Sequence, residues 1–89
     1  MTLNFTNESC SYDATRHAVR FWGYDGSREV SFFVTEDALR CMQSDMAGSE
    51  VALLSTFSTH RKRIYSAAAR VYARGRRGSY DIWGADISS

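Results

Sequence analysis

Along R-E-V-S-F-F-V-T-E-D-A-L, Arg28 to Leu39, the apolar spacing changes from every second residue to every third or fourth, and the change falls at Thr35. Period two belongs to a half-buried strand and a period near 3.6 to an amphipathic helix, so this stretch requires a sheet and a helix joined directly. Thr35 suits the boundary. Its hydroxyl can accept from free helix amides, and Glu36 and Asp37 place negative charge at the positive end of the helix dipole.

Upstream, R-H-A-V-R-F-W from Arg16 alternates, with His17, Val19 and Phe21 on one side and Ala18, Arg20 and Trp22 on the other. Beyond the loop G-Y-D-G-S, Val30, Phe32 and Val34 share a face opposite Glu29, Ser31 and Phe33. Gly26 supplies the positive φ that tight connections often need, and the two runs read as a hairpin over 16–34. Downstream, Ala38, Leu39, Cys41 and Met42 form the apolar side of a short helix over 36–43, broken by S-D-M-A-G-S. Ser49 can cap a longer helix over 50–74, in which Leu53, Leu54, Phe57, Ile64, Ala68 and Val71 recur at spacings of three and four. Gly75 follows its last turn, where glycine commonly ends a helix, and Arg74 opposes the negative dipole end. S-Y-D-I-W over 79–83 alternates again as a final strand, and a short extra strand around Leu3 to Phe5 is compatible with the pattern.

The order ββααβ predicts an α+β two-layer sandwich, with helices on one face of a small, mainly antiparallel sheet. Eighty-nine residues have room for one core, so 1–89 reads as a single domain. With 44% apolar and 13% aromatic residues that core needs no disulfide. Cys10 and Cys41 form no C-x-x-C, and no charged-then-apolar leader precedes the fold, which reads as a reduced, cytoplasmic chain. No apolar run approaches the ~18 residues of a membrane span.

S-Y-D-A-T-R-H-A-V-R-F-W-G-Y-D-G-S-R-E-V-S-F-F-V-T-E-D-A-L and A-A-A-R-V-Y-A-R-G-R-R-G-S-Y-D-I together resemble a family of small bacterial proteins known as domain of unknown function 1488. The likeness runs from Leu3 to Ile87. It is carried by Ser11-Tyr12-Asp13 before the first strand, Val19-x-Phe21, the strand ending in Phe32-Phe33-Val34, the acidic helix start, and Tyr72-x-x-Gly75 followed by a strand. The resemblance implies a single-domain α+β fold in a bacterial, cytoplasmic protein of unestablished function, and it carries over no catalytic residue.

Enzyme chemistry has few candidates. His17 and His60 are the histidines, and a Cys41/His60 pair, with Asp37 or Asp45 nearby, is the one nucleophile–base arrangement the elements permit. A free cysteine is more often packing, so a hydrolase is the third reading. Neither the histidines nor the cysteines have zinc-like spacing, and no cofactor is expected.

Charge is distributed unevenly. Residues 51–80 hold Arg61, Lys62, Arg63, Arg70, Arg74, Arg76 and Arg77 without one acid, +7, whereas the rest of the chain carries −6. An anionic partner or the protein's own acidic remainder could answer that charge. The second reading is therefore nucleic-acid binding through Arg61, Arg63, Arg70, Arg74, Arg76 and Arg77, with Tyr65 and Tyr72 alongside for stacking. Against it stands a sequence pI of 7.8, below the value above about 9 usual for such domains. Arg61 is expected to lay its stem across Phe57 or Tyr65 and pair with an acid.

The first reading is protein interaction or self-association, without enzymatic activity. If Val19, Phe21, Val30, Phe32 and Ile82 face the helices, Trp22, Phe33 and Trp83 share the opposite face, where clustered aromatics suggest a partner surface, a homodimer or another protein. The alternative is that Leu3 and Phe5 fold over that face and cover it.

Overall fold

A computed structural model describes residues 3–75 and 79–88 of the chain. In chain order the elements are β1 (Leu3–Asn4), β2 (Cys10–Asp13), β3 (Ala18–Asp25), β4 (Arg28–Thr35), α1 (Glu36–Met42), α2 (Glu50–Thr59), α3 (Arg61–Ala73), β5 (Ser79–Ile82) and α4 (Gly84–Ser88). The β3–β4 hairpin is the frame, paired antiparallel from Ala18↔Thr35 to Asp25↔Arg28. Gly26, with φ 65°, takes the first position of its two-residue turn, as a type II′ connection requires.

β1 and β2 share one edge of the hairpin, pairing antiparallel with β3 at Leu3↔Asp25 and from Cys10↔Phe21 to Asp13↔Ala18. At the other edge β5 runs parallel to β4, from Ser31↔Ser79 to Val34↔Ile82. A parallel neighbour demands a crossover, and α1, α2 and α3 supply it, which brings α2 and α3 over one face of the sheet. The result is a small mixed α/β domain with a mostly antiparallel open sheet, which the expected ββααβ order broadly fits.

The core lies between those layers. Phe21 and Phe32 stack at 5.3 Å between ring centroids, Phe57 of α2 meets Phe21 at 5.2 Å, and Tyr72 of α3 meets Tyr80 of β5 at 5.3 Å. Val19, Leu39, Leu53, Ile64 and Ile82 complete it with no exposed surface. Each such side chain contributes about 1.5–3 kcal/mol by leaving water.

Four differences from the sequence expectations have identifiable causes. The first long strand begins at Ala18, not Arg16, because Arg16 donates its backbone N–H to Asp13 Oδ1 at 3.1 Å and His17 takes φ 49°, completing a turn. β2 has only four residues, too few for its alternation to register. The helix expected over 50–74 is two helices meeting at His60, whose φ of −108° and ψ of 24° leave the helical region. The run Ser55-Thr56-Phe57-Ser58-Thr59 explains the break: Thr59 Oγ1 donates to the Ser55 carbonyl at 3.0 Å, and such back-bonding competes with helical hydrogen bonds and bends helices. Finally, α4 follows β5, held by Trp83 N–H donating to Asp86 Oδ2 at 2.9 Å.

The N-terminal segment joins the helical side. Phe5 stacks on Tyr65 at 4.2 Å and 6° between ring planes, and lies 5.7 Å from Phe32. Leu3 and Phe5 pack against the core cluster and leave the opposite sheet face to other residues.

Candidate interaction surface

Strand register determines what the opposite face carries. Ser11, Arg20, Phe33 and Asp81 lie side by side across β2, β3, β4 and β5. Asp13, Ala18 and Thr35 form the row on one side, and Trp22 and Ser31 the row on the other. Trp83, two residues beyond Asp81, lines a cavity of about 210 Å³ together with Arg16, Ala18, Thr35 and Asp81. The three aromatics expected on this face therefore share it, in different environments.

Phe33 is the floor, only 6% exposed. Its cover is cationic: the Arg16 guanidinium carbon lies 4.1 Å from the ring centroid and that of Arg20 lies 5.7 Å away. Arg20 also sits 5.2 Å from the Trp22 ring. Contacts of this kind contribute roughly 0.5–1 kcal/mol each where solvent reaches them. Arg16 is held by Asp81 at 3.3 Å and Asp13 at 3.9 Å, and Arg20 donates to Ser31 Oγ at 3.0 Å. Trp22 is half-buried, whereas Trp83 is 53% exposed.

Thr35 fixes the geometry beside Trp83. Its hydroxyl donates to the Ile82 carbonyl at 2.9 Å and accepts from Ala38 N–H at 3.2 Å. One side chain thus starts α1 and positions the backbone from which Trp83 departs. Arg16 and Arg20 were not anticipated as members of this surface. The alternation of Arg20 with Trp22 was the available signal; the return of Arg16 over Phe33 depends on the His17 turn.

The cations of the helical side are placed differently. Arg61 donates to the Glu8 carbonyl at 2.9 Å and to Tyr65 Oη at 2.8 Å, with its guanidinium 4.9 Å from the Phe57 ring. The contact with Phe57 is made by the guanidinium, where the stem was expected, and its partner is a backbone carbonyl where an acidic side chain was expected. Arg70 donates to the Asp86 carbonyl at 2.8 Å, and Arg74 pairs with Asp86 Oδ1 at 2.7 Å. Lys62 and Arg63 are exposed beside an open cleft of about 440 Å³ at the α2–α3 junction, lined by residues 58–63. Arg76 and Arg77 lie outside the described residues.

Cys41 is exposed on α1 rather than on its apolar side, and His60 lies at the α2–α3 junction; no hydrogen bond joins them among the described residues. No group of three or more metal-ligating side chains is assembled among the described residues. No described helix is long and apolar enough to cross a membrane.

A family model described as "Protein of unknown function (DUF1488)" matches residues 3–83. The chain is similar in fold to the crystal structure of a protein of unknown function from that family, from Shewanella loihica PV-4, with a TM-score of 0.79. The match has 16% sequence identity and covers 92% of this chain and 94% of the other. No curated protein matches the chain.

Proposed function

The chain belongs to the family described as "Protein of unknown function (DUF1488)", and from that premise we propose that it is a non-enzymatic binding module that recognises a protein through the open face of its sheet. The observation that carries this reading is the presence of Arg16, Arg20, Trp22 and Trp83 together on that face, around a buried Phe33. Tryptophan and arginine are the side chains that most often dominate binding energy at protein interfaces. Here both arginines are already ordered against aromatic rings, so less conformational freedom is lost on binding. Asp13 and Asp81 beside Arg16 disfavour a phosphate backbone at the same place.

A photo-crosslinking amino acid placed at Trp83 tests the reading in cells, with the exposed Ser66 of α3 as the control position. Protein adducts from position 83, absent from position 66, are the expected result. Nucleic-acid adducts, or equal labelling from both positions, would overturn it.

A further inference from the structure

Resting on that reading, we propose that the protein seated on the open face is a second copy of this chain, packed sheet to sheet about a two-fold axis running along β4. The face carries both charge signs in a fixed order. Arg20 on β3 and Asp81 on β5 occupy the same row, one strand to either side of Phe33 on β4. A two-fold axis along β4 exchanges β3 of one copy with β5 of the other while keeping the rows in step. Arg20 of each copy then meets Asp81 of its partner, twice per dimer, and the two Phe33 positions lie on the axis, each beneath its own Arg16, so that the two Arg16 groups face each other there, each paired with Asp13 and Asp81 of its own chain. Isologous interfaces require this self-complementarity, and a purely acidic or purely basic foreign partner would meet like charge on half of the patch.

The same operation addresses the most exposed large aromatic on the face. Trp83 follows β5 one row beyond Asp81, and across the axis its counterpart is Ala18 on β3, a small side chain with no exposed surface of its own at the base of the cavity. Ala18 lines the cavity of about 210 Å³, which has room for an indole. Each Trp83 therefore enters the cavity beside its partner's Ala18 and leaves water. Asp81 holds Arg16 of its own chain and Arg20 of the other.

Size sets the strength. Four strands spaced at about 4.8 Å, with β3 roughly 25 Å long, offer a patch on the order of 500 Å² per copy. A standard stable interface uses about 800 Å² per partner, so the dimer is a weak one, with a Kd in the micromolar range.

Sedimentation velocity of the full chain from about 10 to 500 μM tests this. A shift from monomer to dimer is expected, with Arg20→Asp and Asp81→Arg each weakening self-association at least about tenfold. Mixing the two variants restores association, because one contact re-forms with its signs exchanged and the other, Asp81 of the first variant against Arg20 of the second, is the wild-type pair. Trp83→Ala alters an exposed side chain and weakens the dimer by about tenfold or more; it decides the matter if circular dichroism shows either charge variant unfolded. A wild type that stays monomeric at the highest concentration overturns the dimer. So does a dimer indifferent to Trp83→Ala, or folded charge variants that fail to rescue each other. If position 83 crosslinks other proteins while the wild type is monomeric, the binding reading stands and the self-pairing fails. Oligonucleotide binding lost in Arg20→Asp would overturn both.

Discussion

Tyr72 donates its phenolic hydrogen to the Asp25 carboxylate at 2.5 Å, tying α3 to the mouth of the hairpin turn 47 positions away in sequence. That hydrogen bond raises the Tyr72 pKa above its ordinary value of 10.0, with burial and the negative charge of Asp25 acting in the same direction. Folding thus favours the neutral phenol, so its contribution is complete below pH 10 and is lost as pH rises through the raised value. We expect Tyr72→Phe to melt below the wild type at pH 7, by a margin that closes as pH climbs beyond 10. Thermal melts followed by circular dichroism at stepped pH read this, and a constant margin would contradict it.

Thr35→Val keeps the shape of a buried side chain and removes both of its hydrogen bonds. The Ile82 carbonyl and the Ala38 amide are left without that partner, at a cost of about 2 kcal/mol in urea denaturation. Thr35→Ser retains the hydroxyl and should recover most of the loss.

Gly84 leaves no space for a side chain. A Cβ there would lie 2.5 Å from Cys41 Sγ and 2.8 Å from Asp37 Oδ2, the oxygen that accepts from Gly84 N–H at 3.0 Å. Gly84→Ala should therefore cost about 1–3 kcal/mol and loosen α4 from α1, seen as faster amide exchange in residues 84–88.

Arg61 secures the connection between β1 and β2. Arg61→Ala removes the bond to the Glu8 carbonyl and the cover over Phe57, and we expect a loss of about 1 kcal/mol with increased amide exchange in residues 5–9. Lys62→Ala, next to it on an exposed position, should fall within about 0.5 kcal/mol of the wild type.

What could be read in the sequence was local. The hairpin, its glycine turn, and the caps Thr35 and Ser49 follow from neighbours within a few residues, and Ser49 Oγ does accept from Ala52 N–H at 3.2 Å. β2 and α4 depend on distant contacts: β2 exists through its pairing with β3, and α4 is packed against α1 and α3. The break at His60 lacked glycine or proline to announce it, since hydroxyl competition leaves no comparable mark. The placing of Trp22, Phe33 and Trp83 on one face followed from alternation alone. The burial of Phe33 beneath two arginines did not, because one of them reaches the ring from a turn. Nor could charge counting reveal that Arg70 and Arg74 both reach Asp86, an acid beyond the basic stretch, on a helix that periodicity did not register.

The parallel pairing of β5 with β4 also governs when the open face of the sheet comes into being. Three helices separate these strands in sequence, so their pairing closes a much longer loop than the hairpin does, and such non-local contacts are costly to form before the helices have docked. Asp81 and Trp83 arrive with β5, whereas Arg20 and Trp22 arrive with the hairpin. A folding intermediate holding β3 and β4 without β5 would display one half of the proposed surface and lack the other. On the proposed reading, binding through this face has to wait until the crossover has closed, and would itself report that folding is complete.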